Sequence, residues 1–169
     1  MTTIDLRRLK IRAGEQFQER REVELEALQL GGQTYAPSPA RPAADLRITR
    51  ASSGLLFELD FEAHLAGPCF RCLAEAEVTT GIHGREYHAT SAEETEELQT
   101  PYVAGDELDL TAWARDSVVL ALPDKILCRA DCAGLCPTCG KDLNVEPHEH
   151  AAESGDPRWA ALAELRERL

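Results

Sequence analysis

The chain has 169 residues, 43% of them hydrophobic, enough for one domain that buries roughly 70% of its unfolded surface, so it needs no disulfide staples. A formal net charge of −12 argues against a general nucleic-acid binder, because affinity for phosphate comes from clustered Lys and Arg. No stretch approaches the roughly 18 apolar residues of a membrane span, and the opening MTTIDLRRLKIRAGEQ, charged from Asp5 onward, does not read as a signal peptide.

The expected location is therefore the cytoplasm, where thiols stay reduced and cysteines serve as metal ligands more often than as crosslinks. Charge is uneven along the chain. Arg7, Arg8, Lys10, Arg12, Arg20 and Arg21 outnumber Asp5, Glu15 and Glu19 in the first 21 residues, whereas residues 86–109 hold eight acids and no Lys or Arg. The plain reading is a solvated surface; the sharper one is that the acidic segment meets a basic partner and the N-terminal arginines touch something anionic.

In chain order, the first half has the period of strands. In REVELEAL, Val23, Leu25 and Ala27 alternate with Glu22, Glu24 and Glu26, as in a half-buried strand. QLGGQTYAPSPARPAA, with Gly31, Gly32, Pro37, Pro39 and Pro42, reads as a loop with a short edge strand over 33–36. DLRITRASSGLLFELDFEAHL gives two strands about a turn near Ser52 to Gly54, the second with Leu55, Phe57, Leu59, Phe61, Ala63 and Leu65 on one face. After GPCFRCL the alternation resumes with Ala76, Val78, Thr80 and Ile82. The cysteine pair thus falls at a turn between antiparallel strands.

The second half changes character. Residues 90–108, which include SAEETEELQT, form an acidic, aperiodic connection. DLTAWARDSVVLALP predicts a helix over 109–123: Asp109 caps it, Leu110, Trp113, Ala114, Val118, Ala121 and Leu122 share a face, and Pro123 ends it. DPRWAALAELRERL predicts another over 156–169, with Asp156 as cap, Pro157 at the first position and Trp159, Leu162 and Leu165 as apolar contacts. The expected architecture is a single α+β domain. Residues 1–89 supply an antiparallel β-sheet, and the C-terminal half supplies helices with a Cys/His zinc-binding loop at 124–150.

Residues 128–150, CRADCAGLCPTCGKDLNVEPHEH, hold four of the six cysteines and two histidines one residue apart. Cys136 and Cys139 in CPTCGK have the form of a zinc knuckle, which is half of a tetrahedral site. Cys69 and Cys72 in CFRC are a second pair, Cys128 and Cys132 a third, and His148 and His150 a fourth. Eight ligands suggest two structural zinc sites. The preferred partition joins Cys136 and Cys139 to His148 and His150, and brings Cys69 and Cys72 across the fold to Cys128 and Cys132. Two rivals stay open: one zinc on Cys128, Cys132, Cys136 and Cys139, or a ribbon of Cys69, Cys72, Cys136 and Cys139. PHEH also reads as a polar linker.

Redox and catalytic readings fare worse. Cys132, Cys136 and Cys139 fit the CxxxCxxC cradle of radical enzymes, but only 30 residues follow Cys139, too few for the barrel such chemistry needs. A thioredoxin-like CPTC would open a helix after a strand, and GLCPTCGKDLN reads as turns. No phosphate-binding glycine loop, Ser/His/Asp set or pair of catalytic carboxylates is legible. His64, His83 and His88 fall on strands and read as surface or core histidines.

CFRCL after a long alternating strand, DELDLTAWARDSVVLALP, CAGLCPTCGKDLN and DPRWAALAEL, in that order, together resemble the YceD family of proteins linked to accumulation of large-subunit ribosomal RNA. The resemblance runs from about residue 54 to the end, with IDLRRL and RREVEL fitting more loosely, and His148 and His150 stand where a cysteine-rich ending is expected. It implies a non-enzymatic factor in ribosome biogenesis. The expected partners are a ribosomal protein and/or ribosomal RNA of large-subunit precursors, and net acidity favours the basic protein. A zinc-bearing adaptor or regulator of transcription is the first alternative, and a thiol oxidoreductase the second.

Overall fold

The computed structural model describes residues 2–90 and 98–150. Its strands are β1 (Thr3–Asp5), β2 (Gln16–Glu22), β3 (Leu28–Leu30), β4 (Gln33–Pro37), β5 (Ala43–Arg50), β6 (Gly54–Pro68), β7 (Glu75–Ala89), β8 (Val103–Ala104) and β9 (Glu107–Asp109), followed by helix α1 (Leu110–Ala121). The strands β6 and β7 form the spine, paired antiparallel from Gly54 opposite Ala89 to Pro68 opposite Glu75. Strict alternation along β6 turns Leu55, Phe57, Leu59, Phe61, Ala63 and Leu65 inward, and all six are buried. Its outward residues carry charge: Arg47 on β5 reaches Asp60 at 2.6 Å, and Arg85 on β7 reaches Glu58 at 2.7 Å.

Because β6 is long, two strands share its other edge. Its first half pairs with β5, Arg50 opposite Leu55 through Asp45 opposite Asp60, and its second half with β4 at Ala36–Ala66 and Pro37–Leu65. The sheet order is β2-β5-β6-β4-β3, with β7 on the remaining side of β6. Within the segment 29–44 read as a loop, the short strand expected over 33–36 forms as β4, but it makes a hairpin with β3 and lies inside the sheet between β3 and β6 instead of at an edge. The strand expected at REVELEAL is displaced: β2 ends at Glu22, although Val23 and Leu25 are buried as the alternation requires. Their N–H groups donate to the carbonyls of Pro42 and Ala40. Proline has no N–H to return, so the ladder stops there.

A second, small sheet has the order β1-β9-β8 and ties the beginning of the chain to the segment before α1. The acidic span expected as a connection over 90–108 therefore contributes strands at its end. Arg7 meets Asp106 at 2.7 Å across this junction. Helix α1 starts where expected, the Asp109 side chain accepting from the Ala112 N–H at 3.0 Å. Leu110, Trp113, Ala114 and Val118 are buried, while Ala121, expected on the same face, is exposed. Trp113 anchors the helix on β7, edge-on to Phe57 and stacked with Tyr102. Gly84 leaves room for its ring, since a Cβ there would stand 3.2 Å from the indole.

The expectation of a helix-bearing C-terminal half is corrected by these elements. The fold is mostly antiparallel β-sheet, and α1 is the one α-helix among the described residues; α+β character survives in its packing on β7. The reason is local. After α1 the described chain turns every few residues around its cysteines and glycines, which leaves no run long enough for a helix. The helix expected over 156–169 lies outside the described residues. Among the described residues no helix is long and apolar enough to cross a membrane.

Candidate metal centre

The two halves of the molecule meet at the tip of the β6–β7 hairpin. The connection Cys69–Ala74 is tight: the Cys69 N–H donates to the Ala74 carbonyl at 2.6 Å and the Leu73 N–H to the Cys69 carbonyl at 3.0 Å. The chain after α1 lies against it, with the Phe70 N–H donating to the Ile126 carbonyl and the Leu135 N–H to the Arg71 carbonyl. These backbone bonds set Cys128 and Cys132 opposite Cys69 and Cys72. The sulfurs of Cys69 and Cys132 lie 3.8 Å apart and those of Cys72 and Cys128 3.5 Å apart. All four fall within 4.8 Å of one another. A tetrahedral zinc with bonds of about 2.3 Å spaces its sulfurs by about 3.8 Å, so this donor set fits such an ion.

Electrostatics point the same way. Burial resists ionisation of Cys69, yet N–H groups of Cys72, Cys128 and Arg71 aimed at its sulfur hold its thiol down at about 6. Cys128 is pushed up to about 12, first by its contact with the Cys72 sulfur, then by burial and by the neighbouring sulfurs of Cys132 and Cys69. Cys72 is raised as well: the N–H of Ala74 favours its thiolate, but burial and the sulfurs of Cys132 and Cys69 prevail. One thiolate is welcome and the next are not. All four sulfurs could be anionic together at this spacing only with a cation among them.

The second group is local. Cys136, Cys139, His148 and His150 place one ligand atom each within 4.8 Å of the others. A bridge between Leu135 and Asp142 closes the loop, the Cys136 N–H donates to the Lys141 carbonyl, and the Gly140 N–H donates to the Cys136 carbonyl. Lys141 then pairs with Glu146 at 2.9 Å, and the chain returns so that His148 Nε2 stands 3.0 Å from the Cys139 sulfur. His148 Nδ1 lies 2.8 Å from the Glu146 carbonyl, which only accepts, so the proton sits on Nδ1 and Nε2 is the free ligand atom. That carbonyl, followed by Cys136, raises the imidazole above its ordinary value. N–H donation from Cys139, against some burial and with further help from Thr138 and the Cys139 side chain, holds the Cys136 thiol down at about 6.

The eight residues singled out from the sequence thus fall into two groups of four, with the membership of one of the partitions considered. The groups differ in shelter. Cys69, Cys72 and Cys132 are buried and Cys128 exposed, whereas in the second group Cys136 alone is buried. His64, His83 and His88 belong to neither group. His64 bonds Thr79, and His83 bonds Asp60.

Two residues that sequence reasoning passed over join the groups. Arg71 sends Nη1 to the Cys132 carbonyl at 2.6 Å. Asn144 donates Nδ2 to the Cys132 sulfur at 3.5 Å, while its Oδ1 accepts from the Ala133 N–H and from Arg129. Asn144 lies within the second loop, so it couples that loop to the first group. Within the run KDLNVEP it bonds only Asp142, which accepts from its N–H and its Nδ2, and nothing there marks its reach to Arg129, Cys132 and Ala133.

A profile of the family described as Large ribosomal RNA subunit accumulation protein YceD matches residues 57–166. The chain is 36% identical over 169 residues to uncharacterized proteins of Mycobacterium bovis and Mycobacterium tuberculosis, covering 96% of this chain and 80% of theirs. It is 27% identical over 134 residues to the uncharacterized protein YlbN of Bacillus subtilis, covering 77% of this chain and 74% of that one. No solved structure matches.

Proposed function

The chain belongs to the YceD family, and from that premise we propose that it is a non-enzymatic factor which supports accumulation of large-subunit ribosomal RNA. The single observation that carries this reading is the family match over residues 57–166, which spans both groups of ligands. In this reading Cys69, Cys72, Cys128 and Cys132 hold one structural zinc, and Cys136, Cys139, His148 and His150 hold a second. Zinc bound there supplies positive charge that lets the sulfurs ionise together, and its binding free energy becomes folding free energy. The protein residues do the rest: Arg71 and Asn144 fix the Cys132 segment, and the hairpin tip is held rigid against the chain after α1.

Charge favours a basic ribosomal protein as the immediate partner over bare RNA. The chain carries 30 acids against 18 Lys and Arg, and among the N-terminal arginines Arg7, Arg8 and Arg21 already pair with Asp106, Asp5 and Glu19. A thiol oxidoreductase is disfavoured by the setting of Cys136, which follows an isolated β-bridge and opens no helix.

The test is depletion of the protein in its native host with sedimentation of the ribosomal particles. The expected result is that the protein travels with large-subunit precursors and that its loss lowers large-subunit RNA relative to small-subunit RNA. Equal effects on both RNAs, or sedimentation apart from every ribosomal particle, would contradict the reading. Metal analysis of the purified chain should return two zinc ions per molecule.

A further inference from the structure

The two CxxC turns are built alike, and one of them breaks its own rule. In the second, Gly140 follows the last cysteine, takes φ +72 and donates its N–H to the Cys136 carbonyl at 2.8 Å. In the first, the residue in the same place is Leu73, with φ +62 and its N–H on the Cys69 carbonyl at 3.0 Å. A left-handed backbone suits glycine and strains a residue with a bulky side chain. Among the described residues Leu73 is the one non-glycine with positive φ. Its side chain does not repay that strain in the core, for it is 57% exposed.

Leu73 is not alone on that surface. Phe70, the residue after Cys69, is 46% exposed, and the Lys125 ammonium stands 5.3 Å from its ring centroid. Between these two, Arg71 turns inward to the Cys132 carbonyl. Arg71 stays exposed although its guanidinium is engaged there, so the outer side of the turn presents Phe70 and Leu73 with the Arg71 and Lys125 side chains at the Phe70 end and Glu75 at the Leu73 end. Beside Leu73 lies a shallow hollow of about 390 Å³ lined by Ala66, Gly67, Pro68, Leu73 and Glu75. Glu75 and Glu77, two apart on β7 and so on one face, are both exposed beside it.

We propose that the outer side of the Cys69–Ala74 turn, Phe70 and Leu73 flanked by Glu75 and Glu77, is a docking surface for a basic protein segment that carries an apolar anchor residue. The apolar pair and the hollow take the anchor, and the two carboxylates meet the basic flank. The turn demands the left-handed backbone, as Gly140 shows, but not a bulky apolar side chain on it, and strained backbone clusters at ligand clamps and binding sites. The occupant follows from charge: acids border the hollow, and the chain as a whole repels phosphate. This inference rests on the reading of the chain as a large-subunit factor and adds the surface and the chemistry of the partner.

Leu73→Gly separates docking from folding, because glycine relaxes the backbone while removing the contact. The full-length metal-loaded protein is tested against purified large-subunit ribosomal proteins one at a time, and against protein-free large-subunit RNA at the same salt. The expected result is that the wild type binds at least one basic protein. Leu73→Gly should keep the metal content and an unfolding midpoint at or above that of the wild type, and should bind that protein at least about tenfold more weakly, as loss of a central anchor does. Leu73→Met should recover most of the binding.

Equal binding by Leu73→Gly overturns the docking surface and leaves the ribosomal reading standing. A lower unfolding midpoint for Leu73→Gly also overturns it, since the side chain would then be packing for the fold. Binding to the RNA alone refutes the protein partner. Binding to neither probe removes the surface and the ribosomal reading together.

Discussion

The first group of cysteines should behave as a crosslink, and its worth can be worked from the chain between its halves. Cys72 and Cys128 are separated by 55 residues. Closing a loop of that length costs the unfolded chain about 4 kcal/mol of conformational entropy by the chain-entropy model used for crosslinks. Cys69→Ser combined with Cys132→Ser takes one buried ligand from each side and leaves two sulfurs, too few for a tetrahedral site. Against a urea dependence of about 2 kcal/mol per molar for a chain of this size, the unfolding midpoint should fall by about 2 M. The assay is native mass spectrometry for metal count with urea unfolding followed by tryptophan fluorescence, since Trp113 sits in the core. The double variant should retain one metal. Cys136→Ser with Cys139→Ser should also retain one, with a smaller fall, because only eight residues separate Cys139 from His148. A double variant that keeps two metals, or keeps the wild-type midpoint after losing one, would refute the reasoning. So would a combination of all four changes that removes a single metal, because both pairs would then serve the same ion.

Other substitutions probe the parts separately. Trp113→Ala empties the contact between α1 and β7 and should cost about 3–5 kcal/mol in urea unfolding while the metal count stays at two. Asn144→Ala strips the Cys132 sulfur of a donor and leaves the Ala133 N–H without its acceptor. It should cost about 0.5–1.5 kcal/mol, since the Ala133 N–H is exposed to water, and speed metal loss to a chelator followed by a colorimetric indicator; an unchanged rate would deny Asn144 its coupling role. His88 is held below the ordinary imidazole value by burial, so the folded state prefers it neutral. That contribution is whole above the unfolded value near pH 6.5 and is lost as pH falls from there toward the lowered folded value. Unfolding midpoints measured from about pH 7.5 to about pH 5.5 should therefore drop less for His88→Gln than for the wild type.

Much of the chain could be read from local pattern. The alternation of Leu55 to Leu65, the turn between β5 and β6, the Asp109 cap and the place of Cys69 and Cys72 at a strand turn all depend on neighbours a few residues away. Their period survives any tertiary arrangement. The reading of 90–108 as a connection missed its two strands for a related reason. Leu110 to Val118 does have helical period, but the short strands at 103–104 and 107–109 take their hydrogen bonds from each other and from Thr3–Asp5, and a three-residue strand has too little sequence to declare itself.

The residue types alone suggested the chemistry: six thiols and two paired histidines can be metal ligands wherever they lie. Which four lie together was decided by the fold. Cys69 reaches Cys132 because a 15-residue hairpin carries it to a tip, α1 packs on that hairpin through Trp113, and backbone bonds from Phe70 and Leu135 seat the following loop there. Short-range periodicity is written into successive residues, whereas contact between distant segments is fixed by the sum of all packing and hydrogen bonding in between. Spacing could therefore propose several partitions, and only the packed chain could choose among them.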